Sequence, residues 1–233
     1  MITFGLDSAG RTAAVGLMRD DELLYEGFLA AGHTHSETLL GLVDGAFRAT
    51  GLSPADVDLW GVCAGPGSFT GLRIGLAAVK GLALVHGAPC VGVSTPEALA
   101  FGCPPGEGTV LAALDARRGE VYWAAFDLSS RARLVPDAAA PAASLADFVE
   151  KCRKPLFFVG DGAGLCYNGY GQTPGVLPCP PALGLCRGAG VCLAARAAYA
   201  RGEAVSAAAL VPRYLRLSQA ERERAERGQP LCP

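Results

Sequence analysis

Three short apolar runs open the chain. Residues 2–6 are apolar and end at Asp7, residues 13–18 form a second run, and residues 23–29 a third. Ser8-Ala9-Gly10-Arg11 and Arg19-Asp20-Asp21-Glu22 break them, so the pattern predicts three strands in an antiparallel meander. The period then changes. Leu39, Leu42, Val43, Ala46 and Phe47 recur at helical spacing and form one apolar stripe. Ser36 is the expected N-cap, with Glu37 in a first turn that favours an anion. Gly51 supplies a stop, and Pro54 follows it. Residues 59–64 read as a buried strand, 65–70 as a loop, 71–86 as a second helix and 90–93 as a closing strand. The unit is β-β-β-α-β-α-β.

The second half repeats this opening. Leu6-Asp7-Ser8-Ala9-Gly10-Arg11 has its counterpart in Leu114-Asp115-Ala116-Arg117-Arg118-Gly119, and each is followed by another apolar run. Leu134 and Val135 mark a third strand, 144–151 a capped helix, 156–159 a strand and 191–200 a helix. A duplication of this length means two similar lobes rather than a solenoid. The division expected is 1–101 for the first lobe and 102–233 for a degenerate second one, whose last segment is free to pack back on the first. Residues 160–190 interrupt the copy. They are dense in Gly, Pro and Cys, include Cys166, Cys179 and Cys186, and read as mostly loop. In the tail at 218–233, Glu221-Arg222-Glu223-Arg224 and Glu226-Arg227 cancel one another, which describes a solvated end and not a basic arm.

Composition narrows the class. Of 233 residues 51% are hydrophobic and 18% charged, which supports a buried core and excludes a disordered chain. Apolar runs are interrupted before 18 residues, so no membrane span is expected. The opening Met1-Ile2-Thr3-Phe4-Gly5-Leu6-Asp7 lacks a basic start, which reads against a secretory signal. A net charge of −2 argues against a stand-alone nucleic-acid binder. Nine cysteines, an odd count, fit reduced thiols in a cytoplasmic protein. Cys152, Cys166, Cys179, Cys186 and Cys192 cluster in sequence without C-x-x-C spacing, and are read as buried or loop thiols rather than zinc ligands.

The most informative stretch is Ala64-Gly65-Pro66-Gly67-Ser68-Phe69-Thr70-Gly71-Leu72-Arg73-Ile74-Gly75. A strand running into a Gly-rich loop that opens a helix points backbone N–H groups at an anion. Asp7, Gly65, Gly67, Ser68 and Thr70 are therefore the candidate nucleotide or anion site. The spacing matches neither G-x-G-x-x-G nor a Walker A loop, and the structural alternative is a tight turn with Ser68 or Thr70 as helix cap. Gly71, Gly75 and Ala78 give the second helix a small-residue face for close packing, inside the fold or across an interface. Asp7 and Asp115 each end a first strand, where a carboxylate holds a metal–phosphate or accepts turn N–H bonds. His33 and His35 lack a third ligand, His86 is isolated, and Ser68 has no nucleophile–base partner, so no metal site and no serine hydrolase is expected. Gly160-Asp161-Gly162-Ala163 follows a strand and reads as a turn or a nucleotide approach.

These residues resemble a family signature. The Gly65–Gly75 run looks like that of the TsaB family, once named YeaZ. So do Leu6-Asp7, His35-Ser36, Val91-Gly92-Val93-Ser94-Thr95, Glu97-Ala98-Leu99-Ala100, Asp115-Ala116-Arg117-Arg118-Gly119-Glu120-Val121-Tyr122 and Pro212-Arg213-Tyr214-Leu215-Arg216. The match is close over 1–126, loose over 127–205 and returns near the end. The resemblance implies an α/β fold of the actin, sugar-kinase and Hsp70 group (ASKHA), with two ribonuclease-H-like lobes. It implies a non-catalytic partner of the TsaD transferase, which makes threonylcarbamoyladenosine beside the anticodon of tRNAs reading A-starting codons. TsaE joins the larger complex, the subunit alone forms a homodimer, and tRNA is met only through the complex. TsaD holds its metal through H-x-x-x-H, which this chain lacks. The apolar helix faces formed by Leu39, Leu42, Val43 and Ala46, and by Leu72, Gly75, Leu76, Ala78 and Val79, are the expected partner interface. No catalytic residue, metal or cofactor is expected beyond weak ATP–Mg binding. The competing reading is a nucleotide-dependent transferase or a glycoprotease-like (M22-like) peptidase acting on its own.

Overall fold

The computed structural model describes residues 1–30 and 34–216. Strands β1 (Ile2–Asp7), β2 (Ala13–Arg19) and β3 (Glu22–Leu29) form the meander; α1 (His35–Thr50), β4 (Leu59–Gly65), α2 (Phe69–His86), β5 (Cys90–Ser94) and α3 (Thr95–Phe101) complete the first unit. The second unit has β6 (Thr109–Asp115), β7 (Glu120–Asp127), β8 (Arg133–Pro141), α4 (Ala146–Lys151), β9 (Leu156–Val159), α5 (Ala163–Tyr170), β10 (Val176–Leu177) and α6 (Gly188–Ala200). The sheet orders are β3-β2-β1-β4-β5 and β8-β7-β6-β9-β10. Each has an antiparallel meander joined to parallel strands, so the duplication read from sequence is present in the topology. Asp7 and Asp115 end the equivalent strands β1 and β6.

Strand periodicity assigns the two faces of the first sheet. Phe4 and Trp60 point to one side, where Phe4 stacks on Phe47 of α1 with ring centroids 5.5 Å apart and meets Trp60 at 4.8 Å. The opposite face carries three glycines in line across the strands: Gly5 is paired with Gly16 on β2 and with Gly61 on β4. Helix α6 lies on that lane although it belongs to the second half of the chain. A Cβ at Gly188 would fall 2.1 Å from the Gly16 nitrogen, one at Gly5 2.7 Å from the Cys192 nitrogen, and one at Gly61 2.6 Å from the Ala195 Cβ. Backbone against backbone is the contact here, and only glycine permits it. The start of α6 is held from β3. Glu26 Oε2 accepts from Arg187 Nε at 3.0 Å and Nη2 at 2.7 Å, and Oε1 accepts from the Ala189 N–H at 3.0 Å. One apolar core consequently runs through both halves.

Several expectations are corrected. Thr34, not Ser36, caps α1, and its N–H donates to Glu37 at 3.2 Å. The second helix begins at Phe69, with the Ser68 hydroxyl accepting from the Gly71 N–H. The helix expected over 144–151 is a 3-10 turn followed by α4. Residues 160–190 hold α5 and β10 besides loop: Cys166 is buried in the second lobe's core with Tyr170 packed against it, while Cys186 joins the core that runs through both halves. Helix α2 is long and apolar enough by mean composition to cross a bilayer, although Arg73 and Lys80 interrupt its apolar run. Its Leu72, Gly75, Leu76, Val79 and Ala83 face the core, and Lys80 donates to the carbonyls of Ala208 and Leu210. The tail at 218–233 lies outside the described residues.

The lane makes a sharp prediction. Gly188→Ala should lower unfolding free energy by about 1–3 kcal/mol or more, because the added methyl meets backbone that cannot rotate aside. Gly81→Ala on α2, where a Cβ meets nothing, should be neutral or stabilising by up to about 1 kcal/mol. Urea denaturation of the two variants checks the difference.

Candidate functional site

The Gly-rich loop before α2 docks on the turn after β1. Ser68 N–H donates to the Ala9 carbonyl at 2.7 Å, and the Ser8 hydroxyl donates to the Gly71 carbonyl at 2.8 Å. A Cβ at Gly67 would fall 2.5 Å from the Ala9 oxygen, and one at Gly71 2.0 Å from the Ser8 oxygen. Gly65 takes φ +123° against the Arg213 carbonyl, and the Arg213 N–H donates to Ala64 at 2.7 Å. Asp7 is fully buried, and its Oδ1 accepts from the Ala9 N–H at 3.0 Å. Burial holds its carboxyl above the usual range, against that N–H bond. The structure therefore does not assemble Asp7, Gly65, Gly67, Ser68 and Thr70 into an anion cradle. The glycines serve close packing, Ser68 caps the helix, and Thr70 is exposed on its first turn. The N–H groups of Ala9, Arg11, Ser68 and Gly71 already have protein acceptors.

A cleft of about 560 Å³ lies between the lobes, lined by Arg11, Thr12, Phe158, Asp161, Tyr167 and Cys179 among others. Asp161 joins the two strand-end turns. Its Oδ2 accepts from the Arg11 N–H at 3.2 Å and its Oδ1 from the Asp115 N–H at 3.0 Å. Burial raises its pKa, opposed by these two bonds. A carboxylate in this position repels phosphate. Asp115 itself turns to Arg117, accepting its N–H at 2.7 Å. Asp7 and Asp115 thus have separate hydrogen-bond partners. The His35 ring nitrogen Nε2 is 3.0 Å from the Gly10 carbonyl, while His33 lies outside the described residues.

The expected partner interface is also corrected. Leu39, Val43, Ala46, Leu72, Leu76 and Val79 are core residues, and Leu42 and Ala78 pack partly buried against them. Gly75 is buried too, since a Cβ there would fall 2.3 Å from the Ser8 Oγ. The periodicity is that of helices covering their own sheet. The outward faces of α1 and α2 carry other residues: Leu40 is 63% exposed, Leu84 67% and Val85 77%. Gly41, Ala77 and Gly81 are exposed beside them. Along the same helix, Tyr214 stacks on Phe69 at 3.9 Å and accepts from Arg73 Nε at 3.0 Å. Gly160-Asp161-Gly162-Ala163, read from sequence as a turn or a nucleotide approach, is the turn that supplies Asp161, and Tyr214 belongs to the Pro212–Arg216 motif; what the sequence did not show is which elements they meet.

Asp161→Ala leaves two backbone N–H groups without an acceptor and should cost about 1–3 kcal/mol for each one that water cannot reach. Asp161→Asn should cost less and also change the pH profile. Because the native pKa is raised, the folded state holds the proton longer, and this group's contribution to stability declines as pH rises from 3.8 through the raised value. The wild-type advantage over Asp161→Asn should therefore shrink across that window. Urea unfolding at a series of pH values checks both.

A family model described as TsaD, tRNA N6-adenosine threonylcarbamoyltransferase, matches residues 29–223. The tRNA threonylcarbamoyladenosine biosynthesis protein TsaB of Escherichia coli is 38% identical over 128 residues, 54% of this chain and 55% of that protein. TsaB of Bacillus subtilis is 28% identical over 167 residues, 71% of this chain and 73% of that one. The alignment with the Escherichia coli protein thus spans little more than half its length. The solved structure of YeaZ from Pseudomonas aeruginosa superposes with TM-score 0.74 at 27% identity, covering 92% of this chain and 99% of that one. An activator of 2-hydroxyisocaproyl-CoA dehydratase from Clostridium difficile, with TM-score 0.53 at 12% identity over 87% of this chain and 98% of that one, shares the fold alone. The duplicated sheets are those of the actin, sugar-kinase and Hsp70 group. With the Gly65–Gly75 loop, the paired strand-end aspartates and these matches together, the chain belongs to the TsaD-like family and, within it, to the TsaB (YeaZ) proteins.

Proposed function

We propose that this chain is the non-catalytic partner subunit of a TsaD transferase in threonylcarbamoyladenosine formation on tRNA. The observation that carries the reading is the outward strip of α1 and α2. Leu40, Leu84 and Val85 stand exposed there, and Gly41, Ala77 and Gly81 let a facing helix approach closely. A TsaD protein fits as the occupant, because the TsaD model aligns over residues 29–223 and a partner of the same fold presents an equivalent helix pair. A second copy of this chain is the occupant when TsaD is absent, and TsaE and tRNA join only the larger complex. The engaged turn N–H groups and the Asp161 carboxylate support a subunit that uses no nucleotide and performs no transfer itself. The cytoplasm, where tRNA is modified, is the compartment this role requires.

The test separates interface from core. Gly81→Arg meets no neighbour within the monomer, so the variant should fold with an unchanged Tm. It should still lose at least about 2 kcal/mol of affinity for TsaD, roughly thirtyfold in Kd. Leu84→Arg should act the same way. The readouts are co-purification with TsaD and tRNA modification with and without this chain. Full support of modification by Gly81→Arg, or modification by this chain unaided, overturns the proposal. The inter-lobe cleft favours the second reading, an enzyme with a small-molecule substrate. Calorimetry with ATP–Mg distinguishes it: tight binding, with turnover lost in Asp7→Ala, supports the enzyme.

A further inference from the structure

Strand alternation places Asp7 on the same face of the first sheet as Gly5, and Cys63 on the same face as Gly61. That is the face α6 covers, and Cys186 stands just before α6. A carboxylate oxygen of Asp7 and the Sγ atoms of Cys63 and Cys186 all lie within 4.8 Å of one another, and all three residues are buried. Asp7 Oδ1 takes the Ala9 N–H, while Oδ2, equally buried, has no N–H or O–H donor and faces only the Cys63 and Cys186 thiols. A buried carboxylate oxygen met only by such weak donors is costly, and a cation relieves it. Cys63 and Cys186 are free thiols.

We propose that Asp7, Cys63 and Cys186 bind a divalent transition-metal cation, with Zn²⁺ as the best match. Two sulfurs with one oxygen are a borderline-soft donor set, which suits Zn²⁺ and not Mg²⁺, whose sites are octahedral and all oxygen. Thiolates about 2.3 Å from a tetrahedral centre lie roughly 3.8 Å apart, so the three ligands need close by no more than about 1 Å. A void of about 10 Å³ adjoins the cluster, lined by Asp7, Gly10, Thr12 and Cys186 among others. It admits one water, which completes four-coordination. The ligands come from β1, from β4 and from the segment leading into α6, so the ion staples the first sheet to the helix that covers it.

The experiment uses the full chain, purified under reducing conditions, stripped with a chelator and titrated with Co²⁺ alone. One equivalent should bind, with tetrahedral d–d bands and thiolate-to-cobalt charge transfer, and Zn²⁺ should displace it one for one. Cys63→Ser and Cys186→Ser should each remove about half of the charge-transfer absorption and weaken binding at least about tenfold. Cys166→Ser, in the separate core of the second lobe, should change neither. Zinc-edge X-ray absorption on the unmutated protein needs no variant to fold and should show two sulfur scatterers at about 2.3 Å. Absent cobalt bands, bands that survive the Cys63→Ser/Cys186→Ser double variant, or a zinc shell without sulfur overturns the site. A Cys63–Cys186 disulfide in the chain as isolated under these reducing conditions does so as well.

Discussion

Everything in this molecule is arranged around the contact between α6 and a sheet stripped of side chains. Gly5, Gly16 and Gly61 form a lane one residue wide across β1, β2 and β4, and Gly188, Cys192 and Ala195 of α6 settle into it. Close packing of this kind concentrates dispersion contacts along a backbone already fixed by sheet hydrogen bonds. It also leaves no room for adjustment. The Cys192 thiol fits because it is small and finds the Thr3 and Gly16 carbonyls, each 3.5 Å away. The salt bridge from Glu26 to Arg187 then fixes where along the lane the helix starts.

The rest of the architecture follows from that placement. With α6 on one face, α1 and α2 must cover the other, so their most apolar residues are consumed internally. What remains outward is a few leucine, valine and glycine positions among charged ones such as Asp44, Arg48 and Arg73. The same placement draws the lobes together. Asp161 then meets both strand-end turns within the cleft that it lines.

Much of this was legible in the residues. Short continuous apolar runs and the repeated strand–Asp–turn gave the duplicated sheets, because strands buried on both faces read as unbroken apolar stretches and tight turns need Gly, Asp and Arg at fixed places. The Gly65–Gly75 signature carried the family. Burial was where sequence reasoning failed. An amphipathic stripe such as Leu39, Val43 and Ala46 says that one helix face is covered, and not whether the cover is the chain's own sheet or another protein. Glycine was misread in a parallel way. The loop glycines looked like donors for an anion when their missing side chains admit Ala9 and Ser8, and the lane glycines carry no local signal because their partner lies far along the chain. Residues 160–190 hid α5 since a Gly-rich helix of eight residues has little periodicity to show.

The order in which the chain is made gives the lane a further meaning. β1, β2 and β4 are complete within the first 65 positions, whereas the helix that roofs them begins only at Gly188. The Thr3, Gly5 and Asp7 side of β1 is therefore synthesised well over a hundred residues ahead of the helix that covers it. The contact that closes the front lobe is among the longest-range in the chain, and such contacts carry the largest loop-closure cost.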